Sequence, residues 1–475
     1  MKKYTTLALA AAAVAAAGCK DSTAVNPVDA PELESVTSVA LTRASLQLLA
    51  TGVLAQDRAG VVGTPTYLTL SAILGRDAIR VDASEPRYVG ETLGTNPDPG
   101  SFAGGGGFSA FFTAIRAANS VLLALPNAGA GQFTDQEKNV TAGFLKTIKA
   151  LDYMRLIELR DTVGIPIQTD DASAVTDVRC KAPVLAFIAA LLDSANTDLV
   201  AAGPTAKLPF VIPTGFTSFG RDYSVASNII RFNRALKGKV NLYRAIDRKG
   251  PQTARATDAI AELTAALGGA APGAVPSSQF AVGPYYRFVI GGSEATPNSL
   301  ADTRLGLNSM VLDSILPADT RRSKIISRTV LSGQGLLNTT AITCAKCTPT
   351  PVNQESPLGI IRDEEVVLLR AQAYIEAGNL AAATADINSV RTTYGLPAYG
   401  VLASKTAAIN AVLYEKRYSL LLEGPQRLVD LREYGRLNQT FFRKETATDP
   451  YNAAFPLPRA ELNARNLTVN PTCTA

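Results

Sequence analysis

The sequence predicts a mostly α-helical protein, with stacked helix pairs on one side and a loop-rich part on the other. Three observations carry this. Apolar residues recur at helical spacing through much of the chain, most clearly between residues 362 and 424. Two long stretches, 59–109 and 268–357, break that spacing with glycine and proline. The chain has 475 residues, 47% of them apolar, which is enough for a large core.

The clearest helix pair runs from Arg362 to Arg391. Val366, Leu369, Ala373 and Tyr374 form one apolar stripe, and Leu380, Ala383, Ile387 and Val390 the matching one. Gly378 can close the first helix and Asn379 can open the second. Small alanines at 381–383 allow close approach. Large, small and glycine positions fall where a tetratricopeptide repeat puts them. A third helix follows, burying Ile409, Val412, Leu413, Leu420 and Leu421. Glu415, Arg417, Glu423, Arg427, Asp430 and Arg432 lie in and just after it. Charge this dense beside an apolar stripe predicts ion pairs that pin the helix end, with Arg427 set between Glu423 and Asp430. Glu364 and Glu365 read as a solvated helix start favoured by the macrodipole.

Taken from the N-terminus, Met1-Lys2-Lys3 is a charged start, Leu7 to Ala17 is apolar, and Ala16-Ala17-Gly18 precede Cys19. Residues 1–18 read as a secretory signal. The small residues before Cys19 resemble a bacterial lipobox, which implies lipidation of Cys19. Residues 19–35 read as a tether and 36–475 as one helical-pair domain, with no later membrane-spanning helix expected. Helices are expected at 36–58, 111–125, 135–160, 184–199, 228–245 and 257–267, with Thr134 and Glu137 as a capping box. They group into helical-pair units near 36–58, 111–160, 184–245 and 363–424. The stretches 59–109 and 268–357 are the candidate ligand-binding surfaces. Within them Tyr88, Tyr285 and Tyr286 can stack on a ligand, and Arg76 or Arg87 can meet a polar or anionic group.

Composition excludes several chemistries. The chain has no histidine, so a Ser-His-Asp triad, a Cys-His pair and a histidine-ligated metal site are ruled out. No catalytic set, cofactor motif or metal set stands out. Without Lys2 and Lys3 the balance is 44 basic to 41 acidic residues, and nucleic acid is not an expected partner. Setting Cys19 aside leaves an even number of cysteines in an exported chain, which suggests disulfides. Cys344 with Cys347 is the expected local bridge and Cys180 with Cys473 the other.

Glu415-Lys416-Arg417, Glu423-Gly424, Arg427 and Asp430-Leu431-Arg432 resemble a signature of the SusD/RagB outer-membrane lipoproteins. Leu428 and Tyr434 stand where that family often has tryptophan. Further likeness lies in Asn119, Gly143-Phe144-Leu145, Val163-Gly164-Ile165-Pro166, Arg234-Ala235-Leu236 and Asp319-Thr320-Arg321. The ending Phe455-Pro456-Leu457-Pro458, Glu461-Leu462-Asn463 and Asn470-Pro471 is similar too. The resemblance implies a SusD-like fold and a lipid-anchored protein on the outer-membrane surface that is not an enzyme. Its implied partners are a nutrient and a SusC-like TonB-dependent β-barrel transporter. An oligosaccharide is favoured as cargo. The alternatives are a peptide cargo or a tetratricopeptide-type scaffold for protein partners.

Overall fold

The computed structural model describes residues 40–63, 65–80, 97–100, 105, 107–168, 174–247, 252–291, 294, 296–302, 305–325, 348–349, 352–438, 440–441 and 451–473. Helix dominates them, as the apolar spacing predicts. Helix α1 spans Arg43–Val62. It starts later than its apolar run suggests because Thr42 caps it. Thr42 Oγ1 accepts from the Ser45 N–H at 3.2 Å, and Ser45 Oγ accepts from the Thr42 N–H at 2.9 Å. Helix α2, Tyr67–Leu74, interrupts the stretch 59–109 that the sequence presents as irregular. All eight of its residues are buried, so it has no polar face and gives no periodic signal.

The main stack continues with α3 (Ser109–Ala124), α4 (Asp135–Arg160), α5 (Lys181–Ala202), α6 (Ala226–Ala245) and α7 (Thr253–Ala266). After the short α8 (Ser309–Ser314) come α9 (Asp363–Glu376), α10 (Leu380–Thr393), α11 (Lys405–Ser419), α12 (Gln426–Glu433) and α13 (Arg459–Ala464). Helix α4 opens on the Thr134–Glu137 capping box. Between α9 and α10, Gly378 turns at φ +83° and the Asn379 side chain caps the Ala382 N–H.

Helix α1 packs on α3, α4 on α5, α6 on α7 and α9 on α10. Helix α5 also meets α6, α7 meets α9, and α9 meets α11, so the pairs share one core. The partnering is shifted by one helix from the grouping 111–160 and 184–245. Two glycines explain the shift. A Cβ on Gly143 of α4 would sit 2.5 Å from Leu199 Cγ of α5, and one on Gly238 of α6 would sit 2.4 Å from Leu263 Cγ of α7. Each glycine therefore leaves room for a side chain of the neighbouring helix that a Cβ would displace. Segments Ser109–Asn127 and Lys181–Ala202 are apolar and long enough to cross a membrane by length and composition. Both pack into the helix stack.

The strands described are two or three residues long. Strand β1 (Ala78–Arg80) pairs antiparallel with β5 (Leu305–Leu307), which pairs with β6 (Thr348–Pro349). This small sheet ties the stretch 59–109 to the stretch 268–357. The other sheets join β2 (Ile165–Pro166) to β3 (Val178–Arg179) and β4 (Tyr285–Tyr286) to β7 (Leu358–Gly359).

A disulfide joins Cys180, just before α5, to Cys473 in the C-terminal tail. The tail is also tied by backbone bonds from Phe455 to Leu159 and from Cys473 to Thr162, each 2.8 Å. Phe455, Leu457 and Leu462 are buried beneath it. Cys19, Cys344 and Cys347 lie outside the described residues.

Candidate functional site

The charged cluster around α11 and α12 is a buried network that cross-links the helix stack. Glu415 receives Arg321 at 2.6 Å and Arg391 at 3.0 Å. Lys416 reaches Asp430 at 2.6 Å and the Gln372 amide oxygen at 2.8 Å. Arg432 meets Asp161 at 3.2 Å and the Glu158 carbonyl at 3.0 Å. Glu423 is held by Arg362 through contacts of 2.8 and 2.9 Å. Glu423 and Asp430 are therefore already engaged, and Arg427 pairs with neither. Its Nε lies 3.3 Å from Asp77, and its Nη2 donates to the Phe441 carbonyl at 2.8 Å. Asp77 is far away in sequence, so local spacing points to the wrong partner. Glu364 and Glu365 are likewise not solvated. Both are buried, Glu364 against Arg362 and Glu365 3.1 Å from Lys239.

A cavity of about 330 Å³ opens where this scaffold meets the loop-rich part. Helices α11 and α12 form one wall, and Asp77, Met310 and Ser314 the other. Junctions of this kind are where small-molecule sites concentrate. The Asp77 carboxylate accepts from Arg417 Nε at 3.1 Å while facing Arg427. Burial, and then the neighbouring Arg417, push the Arg427 guanidinium down to about 10. Arg436 stands at the mouth, donating to the Asn410 amide oxygen at 2.7 Å, with its guanidinium carbon 4.8 Å from the Phe441 ring centre. Tyr414 and Tyr418 pack together at 4.8 Å between ring centres, and burial raises both hydroxyls. The turn between α11 and α12 sets this wall. Leu422 takes φ +65° and Gly424 φ +148°, so the turn holds strain beside the cavity.

The residues singled out from sequence are distributed differently. Tyr285 and Tyr286 are not a surface platform, because β4 turns both inward. Tyr285 is 8% exposed, stacks on Phe219 at 4.2 Å and donates to the Ala281 carbonyl at 2.7 Å. Tyr286 is 4% exposed and donates to Asp57 at 2.6 Å. Both hydroxyls are raised, chiefly by burial. Arg76 is also buried, directly before Asp77. Arg87 and Tyr88 lie outside the described residues. Asp77, Arg436 and Phe441 went unmarked because no local pattern links them. They meet only when β1 is carried against α11 and α12. Among the described residues no group of three or more His, Cys, Asp or Glu could hold a metal ion.

Residues 343–470 match the SusD family model. None of the curated proteins compared with it matches the chain. Solved structures cover far more of it. A SusD superfamily protein from Bacteroides fragilis is similar over 92% of this chain and 100% of its own, at 16% identity and a TM-score of 0.63. A SusD-like carbohydrate binding protein from Bacteroides vulgatus is similar over 91% and 98%, at 14% identity and TM-score 0.64. A laminarin binding SusD-like protein is similar over 89% and 98%, at 17% identity and TM-score 0.57. These structures give the fold, a mostly helical SusD-like scaffold. The C-terminal region thus matches the SusD family model, and about nine-tenths of the chain shares the SusD-like fold.

Proposed function

We propose that this protein captures a glycan at the outer-membrane surface and hands it to a TonB-dependent β-barrel transporter. The observation that carries the reading is the SusD-like fold, shared with solved proteins named for carbohydrate and laminarin binding. The role is capture without chemical change, and it needs no cofactor. The ligand face would lie on the loop-rich side, where one sheet ties the stretch 59–109 to the stretch 268–357. Arg87 and Tyr88 remain its named candidates. Asp77, Met310 and Ser314, from those two stretches, also line the cavity. Residues 19–35 would form the tether to a lipidated Cys19, and Cys344 with Cys347 a local bridge.

The test is a calorimetric screen of soluble oligosaccharides against a mixed peptide pool. At least one oligosaccharide is expected to bind and the peptide pool to give no heat. Binding of peptides alone would transfer the reading to a peptide cargo. The anchor has its own test. Cys19→Ser is expected to move the protein from the membrane fraction to the soluble one. A variant that stays in the membrane with its signal processed contradicts lipid anchoring.

A further inference from the structure

The cavity between α11, α12 and the start of β1 carries more positive charge than its own carboxylates neutralise. Lys416 is matched by Asp430. Arg417 and Arg427 share the single carboxylate of Asp77. Arg436 at the mouth has a neutral amide and an aromatic ring for partners. The wall therefore holds two cations beyond its anions. One of its donors is also idle: Arg417 is 9% exposed, and its buried Nη2 has no hydrogen-bond partner. Buried guanidinium N–H groups are ordinarily satisfied, so an unused one at a cavity wall marks a place for an acceptor from outside. The depressed Arg427 agrees with this, since an added anion would relieve its repulsion by Arg417.

The rest of the lining limits what that anion can be. Leu413, Leu431, Tyr418 and Phe441 supply an apolar and aromatic surface. A volume of about 330 Å³ suits one ring-sized body and little more. A planar carboxylate matches the fork of a guanidinium. Asp77 and Asp430 would oppose a doubly charged phosphate.

The geometry points to a binding site for a single ring-sized carboxylate, its anionic end on Arg417 and Arg427 and its body against Phe441 and Tyr418. An acidic sugar and a free cyclic acid share this chemistry. This goes beyond glycan capture and rests on the cavity being open to ligand.

The experiment is calorimetric titration of the whole protein with D-glucuronate, D-glucose and cyclohexanecarboxylate, in low and high salt. Glucuronate is expected to bind and glucose not. Affinity should fall with added salt. Arg436→Gln, at the mouth and away from the core, removes one nearby cation and is expected to weaken binding by roughly threefold, the effect of an exposed charge pair. Arg427→Gln should weaken it further. Binding of cyclohexanecarboxylate without glucuronate supports the site and assigns it to a free acid. Failure of both carboxylates overturns the proposal, as does carboxylate binding that is indifferent to both substitutions. Neutral oligosaccharides that bind while both acids fail would leave glycan capture standing and remove this site.

Discussion

Replacing Arg321 by alanine lowers the unfolding free energy by about 3–5 kcal/mol, the usual effect of removing one partner of a buried ion pair. The Arg321 side chain is 1% exposed. It donates to Asp319 at 2.7 and 2.9 Å, to Glu415 at 2.6 Å and to Ser419 Oγ at 2.8 Å, and it sits 4.5 Å from the centre of the Tyr394 ring. Alanine leaves Asp319 buried with only the Tyr414 hydroxyl, at 2.9 Å, and its own turn for company. Glu415 keeps Arg391. Lysine should rescue little, because the site uses a planar fork with several donors. The expected readout is a lower urea midpoint with an unchanged slope. An unchanged midpoint would mean that this cluster does not hold the fold.

The same substitution has a pH signature. Burial pushes the Asp319 carboxyl up, but Arg321 and the Tyr414 hydroxyl more than reverse this and hold it below the usual range. A carboxylate lowered in the folded state stabilises above its unfolded value and loses that contribution as pH falls through its folded value. The stability gap between the wild type and Arg321→Ala should therefore be full at neutral pH. It should narrow below about pH 4, where unfolded carboxylates take up protons.

Much of the scaffold was legible because apolar residues alternate with polar ones at helical spacing between capping residues. The stripes through Val366 and Ile387 place α9 and α10, and the capping residues place the starts of α4 and α10. Helix α2 was hidden by complete burial. The pairing of helices was hidden because Gly143 and Gly238 act through residues on another helix. The charge cluster was legible as a cluster but not pair by pair. Arg427 and Asp77 lie on different elements, and spacing along one helix carries no information about them. The candidate site suffered most. Tyrosine in a glycine-rich stretch looks available, yet a two-residue strand is enough to bury Tyr285 and Tyr286. The cavity residues come from the turn before β1, from α8, α11 and α12, and from the chain after α12, and only the fold assembles them.

Cys473→Ser should be the second large loss, about 2–4 kcal/mol. The bond to Cys180 spans 293 residues of sequence, so breaking it returns much freedom to the unfolded chain. In the folded state the loss should be local. The tail retains Phe455, Leu457 and Leu462 in the core, but its last turn is freed from Thr162 and α5. Faster amide exchange near Cys473, with α9 and α10 unchanged, is the expected pattern. Adding a reducing agent to the wild type should reproduce the shift in midpoint. A wild-type midpoint indifferent to reductant would contradict the assignment.

The belt of buried arginine and carboxylate contacts also bears on how the molecule responds to warmth. Ions give up their hydration more easily as temperature rises, whereas the gain from burying oil-like surface levels off. Contacts such as Arg370 with Asp386, both wholly buried at 2.8 Å, therefore become cheaper to keep just as other cohesion stops growing. The helical back is suited to outlast the thin, short-stranded front when heated. On heating, the short strand pairings would part before the helical stack lost its shape.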